Sequence, residues 1–139
     1  MLPAANGLTP VNGKALLDTN VVIALFAGEP AIVESVQRQA AVFLCAPVLG
    51  ELRYGAQASA RVESNLARLD EFAQALIVLP CDAQTAASYG EVKFGLRKKG
   101  RPIPENDVWI AAIARQYGLA LLTRDGHFRE IDGLRVQIT

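Results

Sequence analysis

Five apolar runs too short to be buried helices recur along this chain, and the first four are separated by stretches with helical periodicity. The runs are Lys14–Leu17, Val42–Cys45, Ile77–Leu79, Leu119–Leu122 and Arg135–Ile138. Their length and composition predict strands. Between the first two, Thr19 or Asn20 is positioned to cap a helix through Val21–Phe26 that Gly28 and Pro30 stop, and a second helix covers about 31–39. Pro47 suits the first turn of the next helix, which carries Val48, Leu49, Leu52 and Tyr54 and is expected to break at Gly55. From Arg61, the spacing of Val62, Leu66, Leu69, Phe72, Ala73 and Leu76 predicts an amphipathic helix. Further helices are expected over Ala83–Lys99, ending at Gly100, and from Asn106 to Gly118. Short strands alternating with helices predict an α/β fold of three layers, a five-stranded, mostly parallel sheet flanked by helices.

The size suits one domain: 139 residues bury a core large enough to fold without a metal or disulfide staple. Residues 1–13 lack periodicity and hold several Asn, Gly and Pro turn signals, so a flexible tail is expected before a domain over 14–139. The 14 basic and 14 acidic residues cancel, which excludes recognition by bulk charge but not by separated patches. Cys45 and Cys81 lie far apart beside apolar runs and read as two buried thiols of a reducing compartment. The longest apolar run, Val21–Ala27, is too short to span a membrane, and the first residues lack the pattern of a signal peptide. A cytoplasmic protein with no membrane association is the expectation.

Chemistry enters with the carboxylates. Asp18 ends the first strand, Glu51 lies on the helix after the second, Asp107 in the first turn of a helix, and Asp125 just beyond the fourth strand. Singly, each has an ordinary explanation: Asp18 as a helix cap, Glu51 as a solvated helix residue, Asp107 as a partner of the helix dipole worth ~0.5 kcal/mol. Jointly they fall at the carboxyl edge of a parallel sheet, where the ligand crevice of such folds lies. Acids gathered there repel unless a cation sits among them. Oxygen donors without cysteine favour Mg²⁺, with Mn²⁺ the alternative, over zinc.

Four segments, in order and spacing, resemble the PIN-domain ribonucleases, above all the VapC-type toxins of bacterial toxin–antitoxin pairs. They are Leu16–Ile23 (LLDTNVVI), Gly50–Gly55 (GELRYG), Asn106–Ala112 (NDVWIAA) and Leu122–Asp125 (LTRD). The resemblance covers Lys14 to Thr139 and implies a PIN-like fold. It also implies a metal site of Asp18, Glu51, Asp107 and Asp125, supported by Asn20 and Thr123. The implied function is that of a Mg²⁺-dependent endoribonuclease toxin that inhibits translation, with a cognate antitoxin and a homodimeric assembly. Metal-activated water would then hydrolyse the RNA phosphodiester, leaving a 5′-phosphate and a 3′-hydroxyl.

Other residues carry weaker signals. Arg53 and Arg124 adjoin the acids, and Lys98, Lys99 and Arg101 belong to a basic run ahead of the Asp107 helix; all five are candidate contacts to RNA or antitoxin. His127, the only histidine, has no partner base motif and reads as a loop residue beside the site. Trp109 reads as core. Two other functions compete. A silent PIN domain acting as a binding module is opposed by the retention of all four acids. A strand-end-Asp phosphotransfer domain is opposed by Asn20, where the haloacid-dehalogenase-like enzymes need a second Asp, and by the missing acidic pair and late-strand Lys of a receiver.

Overall fold

A computed structural model describes residues 12–139. In chain order the elements are β1 (Asn12–Leu17), α1 (Thr19–Phe26), α2 (Pro30–Gln37), β2 (Gln39–Cys45), α3 (Ala46–Gln57) and α4 (Val62–Gln74). Then come β3 (Ile77–Leu79), α5 (Ala83–Lys99), α6 (Glu105–Gln116), β4 (Ala120–Thr123), a 3₁₀ turn (Gly126–Glu130) and β5 (Val136–Ile138). The strands form one sheet in the order β3-β2-β1-β4-β5, parallel throughout.

The central strands read as continuous apolar runs because helices cover both of their faces. Ala15, Leu16 and Leu17 in β1 are fully buried, as is all of β4. One cluster joins them to Val21 and Val22 of α1, Val48 of α3, and Ile110, Ala111 and Ile113 of α6.

Connections leave β1 in one direction toward β2 and β3, and β4 returns on its other side. Strand order therefore reverses between β1 and β4, which opens a crevice at their carboxyl ends. The register sets what lines it: Leu17 faces Leu122, and the Asp18 amide donates to the Leu122 carbonyl at 3.0 Å. The residues immediately following, Asp18 and Thr123, become neighbours across the switch point.

Several boundaries differ from expectation. The expected tail over 1–13 lies, for residues 1–11, outside the described residues, whereas Asn12 and Gly13 belong to β1 and extend its pairing with β2. The cap of α1 is Asp18 itself, whose side chain accepts from the Thr19 amide, and not Thr19 or Asn20. Helix α3 runs through Gly55 to Gln57. Burial of Leu52 and Ala56 on the same helix outweighs a glycine penalty of ~1 kcal/mol. Cys45 is buried, its thiol pushed up to about 12 by that burial, but Cys81 is exposed, because β3 ends at Leu79 and the chain turns outward at Pro80. Trp109 is half-buried and stacks on Tyr89 at 4.1 Å. Among the described residues no single helix is long and apolar enough to cross a membrane.

Candidate metal centre

Asp18 is the one buried acid among the described residues. It is 3% exposed, its Oδ1 accepts from the Thr19 amide at 2.8 Å, and its Oδ2 accepts from the Thr123 hydroxyl at 2.6 Å. The Thr123 hydroxyl is fully committed, since its oxygen also accepts from the Asp125 amide at 3.0 Å. One buried side chain therefore fixes both the acid ending β1 and the acid following β4. Asn20, in the first turn of α1, completes the frame. Its amide nitrogen donates to Asp125 Oδ2 at 3.2 Å, and its oxygen accepts from the Arg124 amide at the same distance.

Glu51 reaches the crevice from α3. It is exposed, and its Oε1 accepts from the Thr19 hydroxyl at 2.6 Å. Asp107 comes from the first turn of α6, where the positive end of the helix dipole favours a carboxylate. The preceding residue, Asn106, ties that helix to α3 by donating to the Pro47 carbonyl at 3.3 Å.

His127 lies inside the site. Its Nε2 stands 3.0 Å from Asp107 Oδ2, and ligand atoms of Asp107, Asp125 and His127 all lie within 4.8 Å of one another. The fully buried Phe128 anchors the 3₁₀ turn that presents it. Periodicity gives no warning of this arrangement. The available signal is local: in Asp-Gly-His-Phe the two polar side chains stand two residues apart, just ahead of an apolar anchor.

The electrostatics are those of crowded negative charge. Burial above all holds the Asp18 carboxyl above its ordinary value despite the Thr123 and Thr19 hydrogen bonds, and Asp125 and Glu51 push the same way. Burial likewise lifts Asp107 to about 6, with Asp18 adding to the rise and His127 opposing it. Carboxylates gathered around one opening, two of them raised by burial and by their neighbours' charge, suit a divalent cation as donor set and as charge.

The sign of the pH dependence follows. Between about 4 and 6, the folded metal-free protein retains a proton on Asp107 that the unfolded chain has lost. Stability must therefore fall as pH rises through that window. Calorimetric melting of metal-free protein from roughly pH 4 to 7 should show a declining Tm that is flatter in Asp107→Asn. A wild-type Tm that is level across the window would contradict it.

The basic candidates have different surroundings. Arg53 pairs with Asp70 at 2.6 Å, Arg124 with Glu29, and Lys99 with Asp132 at 2.8 Å and the Glu130 carbonyl at 2.6 Å. Lys98 lies over the Phe94 ring at 5.6 Å, and Arg101 is exposed just past α5. Arg97, Lys98 and Lys99 fill the last turn of α5, where cations complement the helix dipole.

Beside Glu51 a second opening, about 340 Å³, runs between α1, α3 and α4. Ile23, Phe26, Leu52, Ala56 and Leu69 make it apolar, and Arg68 closes one end by donating to the Phe26 carbonyl at 2.7 Å.

The sequence matches the PIN domain family over residues 15–134. It is 36% identical over 127 residues to the ribonuclease VapC2 of Haemophilus influenzae, covering 89% of this chain and 96% of that protein. It is 35% identical over 127 residues to the tRNA(fMet)-specific endonuclease VapC of Shigella flexneri, with the same coverage. Among solved structures, the DNA-bound VapBC of Salmonella typhimurium superposes with a TM-score of 0.82 at 32% identity, over 90% of this chain and 97% of that one. VapBC2 of Rickettsia felis, bound to a promoter DNA fragment, reaches 0.82 at 26% identity over 91% and 98%.

Proposed function

The chain belongs to the PIN-domain family, and on that premise we propose that it is a metal-dependent endoribonuclease, the toxin of a type II toxin–antitoxin pair that inhibits translation. One observation carries the proposal: Asp18, Asp107 and Asp125, from three separate parts of the chain, converge with Glu51 at the β1–β4 switch point, and burial raises the first two. Capping and the helix dipole account for Asp18 and Asp107 one at a time but not for four acids at one edge, and a divalent cation does. Mg²⁺ is the abundant ion that carboxylates take.

A cation bound there would supply Lewis-acid polarisation of the phosphodiester and lower the pKa of a bound water. The protein's share is placement. Thr123 and Thr19 keep Asp18 from rotating away, Asn20 orients Asp125, and the Thr19 hydroxyl holds Glu51 at the rim. No serine, cysteine or lysine among these residues offers a nucleophile. Attack by water in line with the leaving 3′-oxygen fits the set, requires no 2′-hydroxyl, and leaves 5′-phosphate and 3′-hydroxyl ends.

The partners follow from the same assignment. An antitoxin must silence such an enzyme, and the apolar opening beside Glu51 offers a seat next to the acids. The relatives solved as VapBC complexes support this pairing. The test uses purified protein and cellular RNA: cleavage should stop with EDTA, return with Mg²⁺ or Mn²⁺, and stop again with the antitoxin. Cleavage that persists in EDTA would refute the metal centre.

A homodimer is part of the proposal. Tyr54, Ile77 and Phe94 are 76%, 61% and 61% exposed, large side chains that a two-fold interface would bury. Light scattering at micromolar concentration should give twice the monomer mass. A strict monomer would contradict it.

A further inference from the structure

We propose that His127 is itself a metal ligand: with Asp107 and Asp125 it forms a mixed nitrogen–oxygen site that prefers Mn²⁺ to Mg²⁺. The inference rests on the metal-dependent assignment above and adds a donor that no carboxylate list contains. Two features of the geometry point to it. First, one separation matches that of adjacent ligands and the third donor is close by. An octahedral ion with bonds of ~2.1 Å sets adjacent ligands ~3.0 Å apart and opposite ones ~4.2 Å apart. The His127 Nε2–Asp107 Oδ2 separation is 3.0 Å, and all three donor atoms lie within 4.8 Å of one another.

Second, the three donors are held independently. Asp107 is set by the start of α6, and Asp125 by Asn20 and Thr123. His127 is set by the 3₁₀ turn, with its ring 4.7 Å from that of buried Phe128. The imidazole is about one-third exposed and the Asp107 side chain 15% exposed, so an ion can reach both from the crevice. Asp18 and Glu51, close enough to raise Asp107, remain as oxygen donors beside this trio.

Nitrogen changes the selectivity. Imidazole binds transition metals well, whereas Mg²⁺ keeps its waters and prefers oxygen. A site with one imidazole and two carboxylates should therefore hold Mn²⁺ more tightly than Mg²⁺. The alternative role for His127 is purely positional, as a hydrogen-bond donor to Asp107, and the two roles separate by experiment.

The probe is Mn²⁺ alone, bound to the full-length protein. Electron spin-echo modulation should detect a directly coordinated nitrogen that disappears in His127→Ala. Calorimetry should show Mn²⁺ affinity falling roughly tenfold or more in that variant while Mg²⁺ affinity changes much less. His127→Gln, whose amide can place a donor near the Nε2 position and so restore the bond to Asp107, should not recover the Mn²⁺ preference. Mn²⁺ bound by oxygen alone in the wild type would overturn the inference and leave the carboxylate centre standing, as would recovery of the preference by His127→Gln. Absence of any Mn²⁺ or Mg²⁺ binding would remove both.

Discussion

Asp107→Asn is expected to lower RNA cleavage by roughly a thousandfold or more without unfolding the protein, and Asp18→Asn likewise, since each removes several kcal/mol of cation binding and orientation. Asparagine has the same shape, so the cost must come from charge. The contrast with stability makes the test sharp. Both carboxyls sit above their ordinary value in the fold, Asp107 at about 6, so at neutral pH each ionised group destabilises the metal-free protein. Neutral replacements should hold or raise the metal-free Tm while losing activity. Mg²⁺ should raise the wild-type Tm and leave Asp107→Asn nearly unmoved, because a ligand stabilises only the state that binds it. Full cleavage by either purified variant would refute the site.

Thr123→Val should be costly in a different way. The Thr123 hydroxyl donates to Asp18 and accepts from the Asp125 amide, and its side chain is fully buried. Valine keeps the volume but removes both bonds, leaving a buried carboxylate short of a donor and an amide short of an acceptor. The expected loss is about 2–3 kcal/mol, or roughly 10 °C in Tm for a domain of this size. Activity should fall too, because Asp18 and Asp125 lose their common anchor. Thr123→Ser, which retains the hydroxyl, should recover most of both. A valine variant with wild-type melting and cleavage would show that the hydroxyl does not hold the site together.

Much of this was legible in the sequence, and for identifiable reasons. The strands of a two-sided parallel sheet are apolar throughout, so β1 and β4 announce themselves by composition, and the acids that end them stand out by contrast. The function, though, came from the four motifs taken together, since Asp18 is also an ordinary cap of α1 and local chemistry does not distinguish the two roles. What stayed hidden were long-range pairings. Nothing near His127 in the sequence points to Asp107, a residue 20 positions earlier on another element. Likewise the basic residues look free in the linear chain, yet Arg53, Arg124 and Lys99 meet acids 17, 95 and 33 positions away. Glycine misled once, at Gly55, where packing of α3 overrode local propensity.

The order of strands in the sheet also imposes an order in time. β1 is made first, but its neighbour β4 begins at Ala120, and the hydroxyl that pins Asp18 lies 105 positions downstream. Pairing so distant in the chain is entropically expensive and closes late. As the polypeptide leaves the ribosome, its first strand, helices α1 to α6 and three of its four acids emerge before the element that unites them. Until β4 and the residue after Arg124 are made, Asp18 lacks the hydroxyl that pins it and Asp125 is absent, so the candidate site is incomplete beside the RNA-rich machine that makes the chain. The interval before β4 slots in beside β1 is a window in which a partner can be waiting.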